Sequence, residues 1–330
     1  MSHSFKLEAV TQSWPMDKPF RTSRRTRDTA EVIVVTLSDG RHIGRGEGVP
    51  CARYGESVSS VLAQLQELDL ANGAGFNREK LQELLPAGSA RNALDCALWD
   101  WEAKASHKRV WEIANLPIVS NIETSFTISL GEPNEMAAVA MAHPDAPLLK
   151  LKLGGDELDL ERVEAVRTAA PAARLIVDAN ESWTPSHYKT AAPALQPLGV
   201  ELIEQPFPAD ADEVLEHLDH SVPICADESC HTTSDLPRLT KRYEVVNIKL
   251  DKTGGLTEAL LLSERARQHH FKIFLGCMAG TSLGIAPARL LARTGDYVDL
   301  DGPLLLAGDR LHGLLYQHGT IGLPSPFLWG

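Results

Sequence analysis

Short runs of apolar residues recur through the last two-thirds of the chain and alternate with stretches whose apolar residues follow helical spacing. The segment 157–170, for example, places Leu160, Val163 and Val166 on one helical face. Alternating strands and helices are typical of parallel sheets with helical crossovers, and eight nearly continuous apolar runs favour a closed barrel. An open doubly wound sheet would instead carry a glycine-rich turn after its first strand, which this sequence lacks. The eight runs are Phe126–Leu130, Leu148–Leu153, Leu175–Ala179, Val200–Ile203, Val222–Ala226, Val245–Leu250, Ile273–Gly276 and Tyr297–Leu300.

The first third of the chain has a different pattern. Val32, Val34 and Thr36 alternate with Ile33 and Val35 on the two faces of a predicted strand. A Ser-Asp-Gly turn follows at 38–40 and a return strand begins at 42–44, and together these features predict a β-hairpin. Residues 56–69 and 88–107 have the apolar spacing of helices. The sequence therefore predicts an α+β region before the barrel.

A polar residue ends nearly every apolar run of the barrel region, and successive ones lie 22 to 28 residues apart. That spacing fits one strand, one helix and their loops, so each residue falls at the same place in successive units. The C-terminal ends of parallel barrel strands meet at one rim, where the active sites of such barrels assemble. The residues are Lys152, Asp178, Glu204, Asp227, Lys249, Cys277 and Asp299.

Three acids at consecutive strand ends, Asp178, Glu204 and Asp227, predict a metal site. Carboxylates held together repel one another unless a cation binds between them. All-oxygen ligation suits a hard divalent ion, and no histidine lies at these strand ends. We therefore expect Mg²⁺, with Mn²⁺ as an alternative.

Lysines lie on either side of these acids. Lys150 and Lys152 share the inner face of the second strand, where a lysine is costly unless a partner or ligand requires it. Lys249 ends the sixth strand, four places around an eight-stranded barrel, so it should face Lys152 across the mouth. Two opposed bases beside a metal suit inversion at one carbon next to a carboxylate, because one lysine removes a proton and the other returns it to the opposite face.

Two further acids, Asp299 and Asp301, share one face of the eighth strand. Acids beyond the metal triad suit a positively charged group on the ligand, such as an α-ammonium. The sequence therefore predicts a small-molecule substrate that carries both a carboxylate and a cationic group.

Together these motifs resemble the enolase superfamily, and the KLKLG stretch, the three acids and the NIK lysine resemble its muconate lactonizing enzyme subgroup. The DLDGP stretch is similar to the dipeptide epimerases, especially those that act on L-Ala-D/L-Glu. The resemblance implies an α+β capping domain over 1–120, a modified (β/α)8 barrel of the (β/α)7β type over 121–301, and a C-terminal tail, 302–330, that returns to the cap.

The resemblance also implies roles for individual residues. Lys152 and Lys249 would be the two acid/base groups of a Mg²⁺-dependent 1,1-proton transfer that inverts the α-carbon. Either Arg24 or Arg25 of the cap would contact a glutamate side chain of the substrate, and the sequence does not choose between them. The remaining roles are metal binding by Asp178, Glu204 and Asp227, carboxylate contact by Thr127 and Lys150, pocket lining by Cys277, and ammonium binding by Asp299 and Asp301.

The same resemblance leaves other functions open. Some relatives racemise N-acylated amino acids such as N-acetylglutamate, whose substrates carry no ammonium, and the RYGES stretch at 53–57 is similar to that branch. A β-elimination of the o-succinylbenzoate synthase type would use the same lysines and metal on one face only. A barrel that only binds a ligand is disfavoured, because all five positions for metal and proton transfer are present.

Composition narrows the classes of partner. A formal net charge of −12 argues against a nucleic-acid partner. The five scattered cysteines do not suggest a disulfide framework. No apolar run reaches the roughly 18 residues of a membrane span, and the first ten residues lack an apolar signal core. We therefore expect a cytoplasmic enzyme without a membrane partner, in which assembly into a homo-oligomer stays open.

Overall fold

The computed structural model describes residues 4–68, 70 and 75–330. Its N-terminal part contains an antiparallel sheet of β1 (Lys6–Arg21), β2 (Thr26–Ser38) and β3 (Ile43–Gly48). Strands β2 and β3 form the hairpin that the sequence predicts, with Ser38 paired to Ile43. Strand β1 pairs along β2 with an irregularity between Pro15 and Phe20.

Four helices follow this sheet in the chain; α1 and α3 pack on the sheet, and α2 and α4 contact α3. Helices α1 and α3 lie within the predicted segments 56–69 and 88–107, and position 69 itself is outside the described residues. Helix α3 packs directly on β3, where a Cβ added to Gly44 would lie 2.0 Å from the carbonyl oxygen of Ala97. Glycine is therefore required there for the helix and strand backbones to meet. The helices are α1 (Val58–Gln66), α2 (Arg78–Leu84), α3 (Ser89–Ser106) and α4 (Val110–Ile113).

Eight parallel strands follow, and their order in the sheet is their order in the chain. This arrangement confirms the (β/α)-barrel prediction, because every strand is followed by a crossover that returns the chain to the same end of the sheet. The strands are β5 (Ser125–Ile128), β6 (Leu148–Lys152), β7 (Arg174–Asp178), β8 (Val200–Glu204), β9 (Ile224–Ala226), β10 (Val245–Ile248), β11 (Lys272–Leu275) and β12 (Tyr297–Val298), and a short β4 (Ile122–Glu123) precedes them.

The crossovers vary in length. Long helices follow β5, β6, β7, β10 and β11, whereas the chain between β8 and β9 forms only a 3-10 helix at Asp212–His217. The helices are α5 (Pro133–Ala142), α6 (Asp159–Ala169), α7 (Pro185–Leu195), α8 (Leu236–Leu239), α9 (Leu250–Thr253), α10 (Leu256–Gln268) and α11 (Ser282–Leu291). None of the described helices is long and apolar enough to cross a membrane.

The barrel strands divide their side chains between two cores. Leu149, Leu151 and Leu153 of the second strand region point outward into the core shared with the helices. One residue from each of seven strands fills the interior instead, and together they form a separate apolar layer. The interior layer consists of Leu148, Ile176, Leu202, Cys225, Val245, Phe274 and Tyr297.

Side chains close the seam between the first and last barrel strands, β5 and β12, which lie at opposite ends of the sheet order. Ser125 Oγ donates to Asp299 Oδ1 at 2.6 Å, and the backbone N–H of Thr127 donates to Asp301 Oδ2 at 2.6 Å. The backbone N–H of Leu300 donates to Thr124 Oγ1 at 2.9 Å. Asp299 and Asp301, which follow β12, therefore join the last strand of the barrel to the first.

The C-terminal residues return to helix α3. The backbone N–H of Gly330 donates to Asp100 Oδ1 at 2.7 Å, and Trp329 Nε1 donates to the carbonyl of Cys96 at 2.9 Å. On the way the chain forms β13 (Tyr316–Gln317) and β14 (Thr320–Ile321), which pair with each other and with β4. The division of domains at residues 120 and 301 stays a prediction.

Candidate active site

The polar residues that the sequence places at strand ends lie at one edge of the barrel. Lys152, Asp178 and Glu204 are the last residues of β6, β7 and β8. Asp227, Lys249 and Asp299 directly follow β9, β10 and β12, and Cys277 comes two residues after β11. Because the strands are parallel and adjacent, these side chains converge on one rim.

A cavity opens at this rim, between the barrel and the N-terminal region. Asp178 and Glu204 are fully buried beside it. Two segments of the N-terminal region, which we call the first cap loop (22–25) and the second cap loop (51–55), form its roof. The candidate residues that line it are Arg24, Arg25, Thr127, Lys150, Lys152, Asp227, Lys249, Cys277, Asp299 and Asp301.

The two candidate acid/base lysines enter the cavity from strands four places apart. Lys152 Nζ lies 2.5 Å from Asp178 Oδ2, and Lys249 Nζ lies 2.6 Å from Asp227 Oδ2. Burial acts to lower the pKa of Lys249, but the charges of Asp227 and Glu204 outweigh it and raise that pKa above its ordinary value. In this arrangement each lysine is held by one carboxylate of the predicted metal triad.

Lys150 lies at the centre of the carboxylates. Its Nζ is 2.7 Å from Glu204 Oε2, 2.8 Å from Asp299 Oδ2 and 3.3 Å from Asp178 Oδ2. The ammonium also lies 5.0 Å from the ring centroid of Phe274, within the range of a cation–π contact. Burial acts to lower the pKa of Lys150, but the surrounding acids raise it well above its ordinary value. Lys150 is therefore a fixed positive charge that holds the acids together.

The three acids of the predicted metal triad have the right chemistry for a hard cation but now bind lysines. No three carboxylate, histidine or cysteine side chains of the described chain lie close enough together to form a ready metal site. Within the same residues, Glu204 Oε2 and Asp227 Oδ1 accept no hydrogen bond of good geometry, although each lies 2.7 Å from a lysine ammonium. Metal binding at this rim therefore requires the acids to exchange lysine contacts for the cation.

The two acids that follow β12, Asp299 and Asp301, differ in their partners. Asp299 is paired with Lys150 and accepts hydrogen bonds from Ser125 and Thr127, which are 2.6 and 3.2 Å away. Asp301 accepts from the backbone of Thr127 and has no lysine or arginine partner in the described chain. Burial and the charge of Asp299 raise the pKa of Asp301 to about 7. Of the two acids, only Asp301 carries a negative charge that no lysine or arginine of the described chain balances. It is therefore the acid available to a ligand cation.

The structure also separates the two candidate arginines of the first cap loop. Arg24 Nη1 lies 2.8 Å from Glu181 Oε2, and Arg24 Nη2 lies 2.6 Å from Glu228 Oε1, so its charge is compensated by the barrel. The side chain of Arg25 lines the cavity and forms no hydrogen bond or ion pair with any described residue. Arg25 is thus the arginine with a charge available to a ligand.

The sequence analysis did not identify the residues that hold the strand-end acids in place through hydrogen bonds and ion pairs. Lys252 Nζ donates to the carbonyl of Asn247 at 2.8 Å and lies 2.7 Å from Asp227 Oδ1. Gln205 Oε1 accepts the backbone N–H groups of Asp227 and Ser229 at 2.8 and 3.1 Å. Gln205 directly follows Glu204, so it links the ends of two neighbouring strands. The one signal that could have marked these residues is their place in the sequence shortly after a strand-end residue, Glu204 for Gln205 and Lys249, three residues earlier, for Lys252.

Buried acids also join the N-terminal region to the barrel. Glu47 of β3 pairs with Arg310 at 2.7 Å and accepts the backbone N–H of Thr281 at 2.8 Å. Asp251 of α9 accepts the backbone N–H of Val49 and the side-chain amide of Asn92, each at 2.8 Å. Burial raises the pKa of Asp251 from 3.8 to about 7.

Comparison with protein families matches almost the whole chain. Residues 5–114 match the mandelate racemase/muconate lactonizing enzyme N-terminal domain, and residues 135–301 match the enolase C-terminal domain-like family. The chain belongs to the enolase superfamily. The resemblance predicted from the strand-end motifs is therefore confirmed.

Two relatives within the superfamily are equally similar to the chain. An L-Ala-D/L-Glu epimerase of Escherichia coli K12 is 46% identical over 319 residues, which cover 96% of this chain and 99% of that protein. An N-acetyl-D-glutamate racemase of a Pseudoalteromonas species is 46% identical over 302 residues, which cover 91% and 95%. Identity alone therefore does not separate the two activities.

Solved structures of the superfamily match the fold closely. A family member from Agrobacterium tumefaciens with homology to dipeptide epimerases, bound to sodium and L-Ala-L-Glu, aligns with a TM-score of 0.96 and 46% identity and covers 99% of this chain and 100% of that one. A dipeptide epimerase from Methylococcus capsulatus, complexed with Mg and L-Arg-D-Lys, aligns with a TM-score of 0.90 and 30% identity and covers 98% and 97%.

Proposed function

We propose that the protein is a Mg²⁺-dependent isomerase that epimerises a dipeptide of the L-Ala-D/L-Glu type at the α-carbon of its C-terminal residue. The observation that carries this proposal is a cavity lined by two lysines from strands four places apart, by Asp301, which has no cationic partner in the described chain, and by Arg25, whose side chain forms no ion pair there. Such a cavity offers a base for each face of a carbon, a partner for an ammonium and a partner for an anionic side chain.

The proton balance follows from the two lysines. One of Lys152 and Lys249, in its neutral form, takes the α-proton, and the electron pair left behind is delocalised into the adjacent carboxylate. The other lysine, as an ammonium, gives a proton to the opposite face of the same carbon. The configuration is inverted, the substrate's atoms are unchanged, and the two lysines have exchanged protonation states.

The acids of the rim complete the proposal. A divalent cation held by Asp178, Glu204 and Asp227 would supply positive charge that stabilises the deprotonated substrate and releases the lysines from their carboxylate partners. Lys150 and Thr127 lie beside this position and would contact the substrate carboxylate. Mg²⁺ in the Methylococcus capsulatus epimerase supports this choice of ion, and Mn²⁺ is expected to substitute for it.

Recognition of the dipeptide rests on Asp301 and Arg25. Asp301 is a buried carboxylate without a cationic partner in the described chain, which suits the α-ammonium of the N-terminal residue. Arg25 extends from the roof of the cavity and suits the side-chain carboxylate of glutamate. The Agrobacterium tumefaciens relative bound to L-Ala-L-Glu supports this class of ligand.

Racemisation of an N-acylated amino acid such as N-acetylglutamate is the second candidate, and the Pseudoalteromonas relative favours it. The same lysines would serve, whereas Asp301 would then face a neutral amide. A cytoplasmic location and assembly into a homo-oligomer remain predictions on either proposal.

Deuterium uptake separates the two proposals. The purified protein with Mg²⁺ is incubated in D₂O with L-Ala-L-Glu, L-Ala-L-Gln or N-acetylglutamate, and exchange at the α-carbon and inversion are followed by NMR and chiral chromatography. We expect kcat/KM to be highest for L-Ala-L-Glu. A higher value for N-acetylglutamate would replace the dipeptide proposal with the N-acyl one, and no exchange with any of the three would refute both.

A further inference from the structure

One carboxylate on the barrel rim binds both cap loops at once. Glu181 Oε1 accepts from Arg53 Nη2 at 2.6 Å, and Glu181 Oε2 accepts from Arg53 Nε at 2.6 Å, which makes a two-point contact with the second cap loop. Glu181 Oε2 also accepts from Arg24 Nη1 of the first cap loop at 2.8 Å. A planar guanidinium that meets a carboxylate at two points is the stronger and more directional form of ion pair.

The backbone around Glu181 is fixed in an uncommon conformation. Asn180 and Glu181 have positive φ angles of 45° and 67°, a region that side chains other than glycine seldom adopt. The backbone N–H of Glu181 donates to the carbonyl of Gln205 at 2.8 Å, and that of Asn180 donates to Asp178 Oδ1 at 2.9 Å. The position of the Glu181 carboxylate is therefore tied to the strand ends that carry Asp178 and Glu204.

Arg24 attaches the first cap loop to this anchor, at 2.8 Å, and also to Glu228, at 2.6 Å. Besides its ion pairs, Arg24 Nη1 donates to the carbonyl of Asn180 at 3.2 Å, and Ser23 Oγ donates to the same carbonyl at 3.3 Å. Arg25 is the next residue in the chain, and its side chain lines the cavity without a partner of its own. The contacts that hold Arg24 therefore also hold the backbone from which the Arg25 side chain extends.

We propose that Glu181 is a positioning residue that holds both cap loops over the cavity and thereby places Arg25 for substrates with a negatively charged side chain. The part concerning substrates rests on the dipeptide function proposed above. The side chain of Glu181 is only 7% exposed, while those of Arg24 and Arg53 are 36% and 37% exposed. The two arginines therefore lie on the solvent side of a buried carboxylate. Nothing in the proton transfer itself requires this carboxylate.

The substitution Glu181→Gln tests the proposal by a comparison of two dipeptides. L-Ala-L-Glu and L-Ala-L-Gln have nearly the same shape and differ in the charge that Arg25 would meet. In the variant we expect the ratio of their kcat/KM values to fall about fivefold or more, because a partly buried two-point ion pair is lost. The change should appear in KM for L-Ala-L-Glu, with kcat for L-Ala-L-Gln little altered.

Limited trypsin digestion gives a readout that does not depend on activity. Cleavage after Arg24 or Arg25 requires the first cap loop to leave the barrel, so Glu181→Gln should speed cleavage there. Arg53→Gln removes the second cap loop's half of the contact and should act in the same direction to a smaller extent. It also serves as the second variant if Glu181→Gln does not fold.

A matched control is Glu201→Gln. Glu201 forms a similar two-point pair with Arg174, at 2.9 and 2.7 Å, between the N-terminal ends of β7 and β8 and away from the cap loops. It should change neither the dipeptide ratio nor the digestion. Equal loss on both dipeptides, or digestion and ratio unchanged in a folded Glu181→Gln protein, would overturn the proposal. If the unmodified protein epimerises neither dipeptide, the proposed function fails, and the digestion still tests the contact.

Discussion

Replacing Asp301 with asparagine separates the dipeptide from the N-acyl function. The side chain keeps its size, and the amide oxygen can still accept the backbone N–H of Thr127 that Asp301 now accepts at 2.6 Å. The negative charge is lost. Since Asp299 is neutralised by Lys150 at 2.8 Å, the substitution removes the one carboxylate of the pair that is free to meet a ligand ammonium.

The size of the effect follows from the burial of that charge. A charge-assisted contact of this kind is worth about 1.5–3 kcal/mol, which corresponds to roughly a ten- to hundredfold rise in KM for the dipeptide. Burial and the neighbouring Asp299 raise the pKa of Asp301 to about 7, so the free protein gains this charge as the pH rises through the neutral range. The difference between variant and unmodified protein should therefore be largest near pH 8 and should shrink towards pH 6.

The assay measures kcat and KM for L-Ala-L-Glu and N-acetylglutamate between pH 6 and pH 8.5, with thermal unfolding as a check on the barrel. Asp296→Asn is a matched control, because Asp296 also accepts a backbone N–H, that of Ile273 at 2.8 Å, but lies at the opposite end of β12. We expect Asp301→Asn to raise KM for the dipeptide and leave N-acetylglutamate unaffected or improved. If both substrates lose equally, or the dipeptide loses nothing, Asp301 does not recognise an ammonium.

Three other predictions follow from the site and its supports. Chelation with EDTA should abolish epimerisation, and Mg²⁺ or Mn²⁺ should restore it; full activity in a sample shown by elemental analysis to be metal-free contradicts the metal site. Lys152→Ala and Lys249→Ala should each abolish inversion, while one of them still exchanges the α-proton of a single enantiomer in D₂O; inversion retained in either variant rules out two bases. The pKa of Asp251 rises from 3.8 to about 7 on folding, so the acid lowers stability progressively as pH rises between those values. Asp251→Asn should therefore raise the melting temperature at pH 8 more than at pH 5, and an equal change at both would show that the acid does not titrate in this range.

The strand ends of the barrel were predictable because two independent regularities coincide there. An apolar run marks each strand, and the repeat of 22 to 28 residues brings the polar residue after it to one edge. Lys150 and Lys152 could be assigned to the inner face by alternation alone, since Leu149 and Leu151 occupy the outer core. The local sequence pattern is sufficient to predict where a side chain lies when the strand that carries it sets its direction.

Pairings between distant segments were not predictable in this way. The link between Lys150 and Asp299 spans 149 residues, and the choice between Arg24 and Arg25 depends on Glu181, which lies more than 150 residues later in the chain. No periodicity marks Glu181, because it lies in a loop whose left-handed backbone is set by contacts with the neighbouring strand end. Such contacts depend on how the cap loops meet the rim.

Helix α3 connects the two segments of the chain that match family models. Its sequence belongs to the N-terminal segment, yet 14 of its 18 residues are buried, and its polar side chains bind the rest of the molecule. Arg91 Nη2 donates to the carbonyl of Thr253 at 2.6 Å, and Asp95 Oδ2 accepts the backbone N–H of Thr257 at 3.0 Å. A fragment ending near residue 120 would expose these groups to water without their partners. The two segments that match separate family models should therefore melt as one cooperative unit, with a single calorimetric transition.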